Sequence, residues 1–146
     1  MLGGVDCSFV IWHHANERNL KVHDVLQYAI DAYSELIRQA VEMGFPRVMV
    51  VSPPLPTMGD SDRPESLRGQ VAATQLQRTA LTREFNAAIE HRCRELGAVF
   101  IDLTGEQLDP DTGLIAQRFV RPAPDHHLAP GPYRALMTRK LSALGW

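Results

Sequence analysis

Apolar residues recur along this chain in two rhythms, and each rhythm predicts a kind of element. Residues 5–12 (Val-Asp-Cys-Ser-Phe-Val-Ile-Trp) form a short run rich in β-branched and aromatic side chains behind two glycines, which predicts a buried strand. Residues 13–21 are polar and predict a loop. From Val22 or Asp24 to Met43 the period changes. Val25, Leu26, Ala29, Ile30, Tyr33, Leu36, Ile37, Ala40 and Val41 fall at steps of three and four, as on one face of a helix that Gly44 ends and Pro46 follows.

Arg47 to Ser52 predicts a second buried strand, and a Pro- and Gly-rich loop runs from Pro53 to about Gly69. Loops of that length in a small domain are usually functional or mobile. A second long helix is expected from Ala72 or Thr82 to Leu96, with Phe85, Ala88, Ile89 and Cys93 inward and Gly97 at its end. Ala98 to Leu103 predicts a third strand, Asp109-Pro110-Asp111-Thr112-Gly113 a turn, and Pro132 to Leu144 a last helix. Alternating strands and helices, with uniformly apolar strands, predict an α/β class with a parallel sheet covered by helices. In such sheets ligands sit beyond the carboxyl ends of the strands, which marks residues 12–16, 52–60 and 103–108 as the functional rim.

Composition narrows the classes. The chain has 146 residues, 45% of them hydrophobic, enough for one domain with a real core. Its 15 basic and 17 acidic residues are near balance, and no basic stripe suggests a nucleic-acid partner. No apolar run approaches the ~20 residues of a membrane span. The first residues lack the basic-then-apolar order of a signal peptide. Two cysteines, Cys7 and Cys93, make no disulfide framework and point to reduced thiols in a cytoplasmic protein, with Cys7 close to the expected rim.

The candidate chemistry centres on Asp125-His126-His127-Leu128, framed by Pro122, Pro124 and Pro130. A carboxylate and an imidazole this close can supply a general base and its orienting partner. The bland reading is a polar loop with Asp125 capping a turn and solvated histidines. Gly59-Asp60-Ser61-Asp62 offers Ser61 as a nucleophile, although it lies in a polar loop and not on a strand-to-helix turn. Trp12 and His13 could line a substrate cleft. One histidine from His13-His14, one from His126-His127 and carboxylates such as Asp6 or Asp60 could hold a metal, but the spacing fits no metal motif, and no cofactor is expected. His23 and His91 read as surface residues, and Asp102 as a turn cap.

Three segments, in order, resemble the SGNH/GDSL hydrolases, a family of esterases, lipases and acyl-transfer enzymes. Gly3-Gly4-Val5-Asp6-Cys7 resembles a subgroup block Gly-Glu-(Ile/Val)-Asp-Cys-Arg. Val50-Val51-Ser52-Pro53-Pro54-Leu55-Pro56 resembles its proline-ended strand. Asp125-His126-His127-Leu128 resembles the last block, Asp-x-x-His-(Leu/Pro). The resemblance implies a flavodoxin-like three-layer αβα sandwich acting on an ester, with His127 as base, Asp125 as its partner, His126 as the alternative base, and Gly4 and Asp6 near the oxyanion position.

The departures are specific. The family's Gly-Asp-Ser block, upstream of the first segment matched here, has no counterpart, so the first family strands would be missing. Ser8 replaces the Arg, Val5 or an unidentified residue stands for the oxyanion Asn, and Asp125 precedes His127 by two positions instead of three. Without its neighbour the strand at residues 5–12 would be a bare edge. Association with a second copy or a complementing chain is then expected through that strand. The nucleophile would be Ser61, a serine from a partner, or none. The last case would make the chain a degenerate hydrolase used as a binding or assembly module. A metal-dependent hydrolase using the two His pairs is the remaining alternative.

Overall fold

The computed structural model describes residues 6–62, 71–122 and 125–146. A π-helical turn, Asp6–Val10, runs directly into α1 (Ile11–Glu17). The long helix α2 spans Val22–Glu42, and β1 spans Met49–Val51. Helix α3 (Gln75–Leu96) leads to β2 (Val99–Ile101) and the short α4 (Thr104–Gln107). A 3-10 turn, Gln117–Phe119, precedes the last helix, α5 (Pro130–Ala143).

The expected sandwich is not what forms. Among the described residues the sheet has two strands, parallel, with Met49, Val50 and Val51 opposite Val99, Phe100 and Ile101. The structure is mostly helical, not a three-layer flavodoxin-like αβα fold. The decisive difference lies at residues 5–12, where Asp6–Trp12 winds helically. The run carries a strand's composition, but its buried residues Cys7, Ile11 and Ala15 stand four apart, which is a helical step. Tertiary burial on that face outweighs the modest β preference of Val and Ile. The bare edge strand through which association was expected is therefore absent.

Residues 13–17, expected in a loop, are helical in α1, and α4 was not expected; α2, α3, α5 and the two strands fall near their expected places. Thr74 caps α3 with a capping box: its side chain accepts from the Gln77 N–H at 3.2 Å, while Gln77 Oε1 accepts from the Thr74 N–H at 2.8 Å. Gly97 closes the same helix in the left-handed region at φ 75°, where a Cβ would be strained. In the turn at 109–113, Asp109 Oδ1 accepts from the N–H groups of Asp111 and Thr112 at 2.9 and 3.2 Å.

Two apolar clusters flank the pair of strands. The first joins the π turn, α1, α2 and α3 through Cys7, Ile11, Leu26, Ile30, Phe85 and Ile89, with Val50 and Phe100 packed against it. Phe85 lies fully buried, edge-on to Tyr33 at a centroid distance of 5.2 Å. The second joins Leu55, Ile101, Leu103, Ile115, Phe119 and Leu136, with Met49 and Val51 against it. Side chains alternate along β1 between the clusters, as a pleated strand requires. No helix of the described residues is long and apolar enough to cross a membrane.

Phe85→Ala should cost about 3–5 kcal/mol, as a large aromatic removed from a packed core does. Tyr28→Ala, on a side chain 77% exposed, should stay within about 0.5 kcal/mol. Urea denaturation of both variants checks the contrast, and equal effects would contradict the assigned core.

Candidate active site

The site begins with a problem of hydrogen bonding. Pro53, Pro54 and Pro56 have no N–H, so the chain leaving β1 cannot continue a ladder, yet Pro53, Leu55 and Pro56 are buried. Their polar groups find side chains instead. Asn86 Nδ2 donates to Pro53 O at 3.1 Å and to Thr104 Oγ1 at 3.0 Å. The Leu55 N–H donates to Gln107 Oε1 at 3.1 Å. Gln75 Nε2 donates to Pro56 O at 2.9 Å, and Arg78 Nη2 to Met58 O at 2.8 Å. Asp60 Oδ1 accepts from the Gln75 N–H at 2.7 Å, at the first turn of α3, where a negative charge is favoured. Helices α3 and α4 thus hold residues 53–60 as a fixed wall.

That wall encloses one side of a cavity of about 290 Å³. Leu55, Thr57 and Met58 face it from the loop, Ser8 and Phe9 from the π turn, and Arg78 from α3. His126, His127 and Leu128 close the remaining side. The Arg78 side chain is 0% exposed, and its guanidinium lies 5.5 Å from the Phe9 ring centroid.

The histidines arrive on a loop closed by an antiparallel bridge between Val120 and Leu128, with the Ala129 N–H donating to Phe119 O at 2.8 Å. Within it Asp125 folds back on the residue two positions on. Its Oδ1 accepts from the His127 N–H at 2.9 Å and lies 2.8 Å from His127 Nδ1. This is an Asx turn, so the two-residue spacing suits the pairing. Arg121 donates to the other oxygen, Oδ2, at 2.6 Å. The carboxylate therefore favours the tautomer with hydrogen on Nδ1 and leaves Nε2 able to accept a proton. Thr57 Oγ1 donates to the His126 carbonyl and ties this loop to the proline wall. The two imidazoles stack, with centroids 4.4 Å apart. The His127 N–H holds the Asp125 carboxyl below its ordinary value of 3.8, with further help from the His127 ring and the Arg121 charge.

The other sequence candidates fall elsewhere. Ser61 is exposed in a bend, its Oγ 3.4 Å from Asp62 Oδ1, and it does not line the cavity. Trp12 is a structural residue: its Nε1 donates to Cys7 O at 3.0 Å and its ring packs on the first core cluster. His13 lies on α1, 3.8 Å from Glu17, and outside the cavity wall. Gly4 lies outside the described residues, and of Asp6 only the backbone, opening the π turn, is described. Asp102 caps the next turn, accepting from the Thr104 N–H at 2.9 Å. Among the described residues no three His, Cys, Asp or Glu side chains gather as a metal site would need, so the two His pairs do not converge on an ion. Cys7 and Cys93 are buried and form no disulfide, and burial, with a smaller contribution from Glu90, pushes Cys93 up to about 11.

Sequence reasoning did not single out Arg78, Thr57 or Met58, and it noted Ser8 only as a departure from a motif. The available signal was the lone arginine at 78, which shares the inward face of α3 with Leu81, Phe85 and Ile89. The chain matches no protein-family profile, no curated protein and no solved structure.

The Asp125 carboxyl should titrate below 3.8 when followed by NMR, so its pairing is complete above that pH and lost as pH falls through the lowered value. Both His127→Ala and Arg121→Ala should raise the midpoint. His127→Ala should recover only part of the shift, because the backbone N–H at 127 remains. An unchanged midpoint in both would contradict the pairing. Native protein should expose no thiol to a disulfide reagent at pH 8, and two per chain after denaturation. Rapid reaction of one equivalent would show that a thiol is accessible.

Proposed function

We propose that the chain hydrolyses a small ester, or transfers its acyl group, with His127 as general base and Asp125 fixing its tautomer. The observation that carries this reading is the 2.8 Å contact between Asp125 Oδ1 and His127 Nδ1, made where the largely exposed imidazole borders an open cavity. The His127 N–H and ring, with a smaller contribution from Arg121, keep the carboxylate ionised, and its two oxygens are held between His127 and Arg121. The cavity volume of about 290 Å³ lies at the small end of ligand sites, which favours a short acyl or alcohol group. Its apolar side chains, Phe9, Leu55, Met58 and Leu128, suit the carbon skeleton of such an ester.

The resemblance to SGNH/GDSL hydrolases supports the same chemistry through Asp125-His126-His127-Leu128. The two-stranded sheet gives the family's fold no support, so the reading rests on the pair and the cavity. No metal or cofactor enters it. A second reading, a catalytically silent binding module, is favoured by the position of Ser61 outside the cavity wall.

Turnover of p-nitrophenyl acetate and butyrate tests the choice. His127→Gln should lower kcat by about 10²-fold or more, and Asp125→Asn by a comparable factor through the wrong tautomer. His126→Gln should leave most of the rate. Absence of turnover above buffer in the unaltered protein would favour the binding module, and full activity of His127→Gln would remove His127 as base.

A further inference from the structure

We propose that Ser8 is the nucleophile of this site and forms an acyl-enzyme with the ester; this rests on the hydrolytic reading of His127. Two hydroxyl side chains line the cavity among the described residues, Ser8 and Thr57. Thr57 is committed to the His126 carbonyl, and that bond ties two loops together. Ser8 has no such commitment among the described residues. Its relative exposure is 8%, and its wall of the cavity stands with the His126-His127 wall around the same space.

The fold supports that role physically. Cys7 and Ile11 on either side of Ser8 are buried in the first core cluster, so the backbone carrying Ser8 is held by packing and not by a mobile loop. The π-helical winding is rare, and such turns are frequent at functional sites. Phe9 and Leu55 make the neighbourhood apolar, which strengthens any charge interaction within it. The buried Arg78 guanidinium, 3.4 Å from Asp60, borders the same space and is the cationic group of the cavity wall.

The chemistry balances without an added reactant. Ser8 Oγ adds to the ester carbonyl carbon, its proton passes to His127 Nε2, and the carbonyl π pair moves to oxygen. Collapse breaks the bond to the alcohol oxygen, which takes the proton from the imidazolium. Water then adds to acyl-Ser8 with the same proton transfers, releases the carboxylic acid and restores the hydroxyl.

The test treats the full chain with a fluorophosphonate and maps the adduct by peptide mass spectrometry, alongside p-nitrophenyl butyrate turnover. One phosphonyl group per chain on Ser8 is expected. Ser8→Ala should lose the label and lower kcat about 10³-fold or more, while Ser61→Ala keeps both. An adduct on Ser61 or Thr57, or turnover by Ser8→Ala within threefold of the unaltered protein, would overturn the Ser8 assignment and leave the hydrolytic reading standing. Turnover without any adduct would do the same, with His127 activating water directly. Neither turnover nor labelling in the unaltered protein would overturn both. Mapping the adduct on the unaltered chain needs no variant to fold, so the assignment is decided even if Ser8→Ala does not.

Discussion

Three prolines in four residues, Pro53, Pro54 and Pro56, set the constraint around which the rest of the site is arranged. They remove the donors a strand would use and leave buried carbonyls that need partners. Asn86, Gln75 and Arg78 on one helix meet carbonyls of the segment from Pro53 to Met58, and Gln107 on another receives its one donor up to Pro56, Leu55 N–H. Leaving one such buried group unmade costs roughly 1–3 kcal/mol, so the set acts together to hold one loop conformation. The wall that results is rigid enough to face a cavity and polar enough to carry Thr57, which reaches the histidine loop.

The histidine loop is positioned by a separate set of forces. The Val120–Leu128 bridge closes it, and the Asp125 side chain replaces a backbone turn within it. Arg121 and His127 divide the two carboxylate oxygens between them. The two-residue spacing of Asp125 and His127 still allows their contact, because an Asx turn joins a carboxylate to the residue two positions later. The cavity brings this loop, the proline wall and the π turn together, although they lie far apart in sequence.

Much of this was legible in the sequence. The period of Leu26, Ile30 and Ile37, and the apolar runs at 47–52 and 98–103, located α2, β1 and β2 within a few residues. Asp125 and His127 were visible as a pair and Asp125 as a turn cap, though not that one Asx turn makes both contacts. Residues 5–12 were misread because composition favoured a strand while the spacing of Cys7, Ile11 and Ala15 favoured a helix. Once that segment is helical, the sandwich and the exposed edge both disappear. Arg78 and Ser8 were illegible as site residues because their meaning comes from long-range neighbours: Arg78 meets Met58 across 20 positions, and Ser8 shares a wall with residues from the far end of the chain.

The account depends on the proline segment being a fixed wall, and Leu55 reports on that directly. It carries the only backbone N–H between residues 53 and 56, it is buried, and its proton is bound to Gln107. Native-state hydrogen exchange at the Leu55 amide should show protection comparable to that of core amides in α3, and Gln107→Ala should remove most of it. Exchange of Leu55 at the rate of an open loop in the unaltered protein would contradict the fixed wall, and with it the cavity that faces His127.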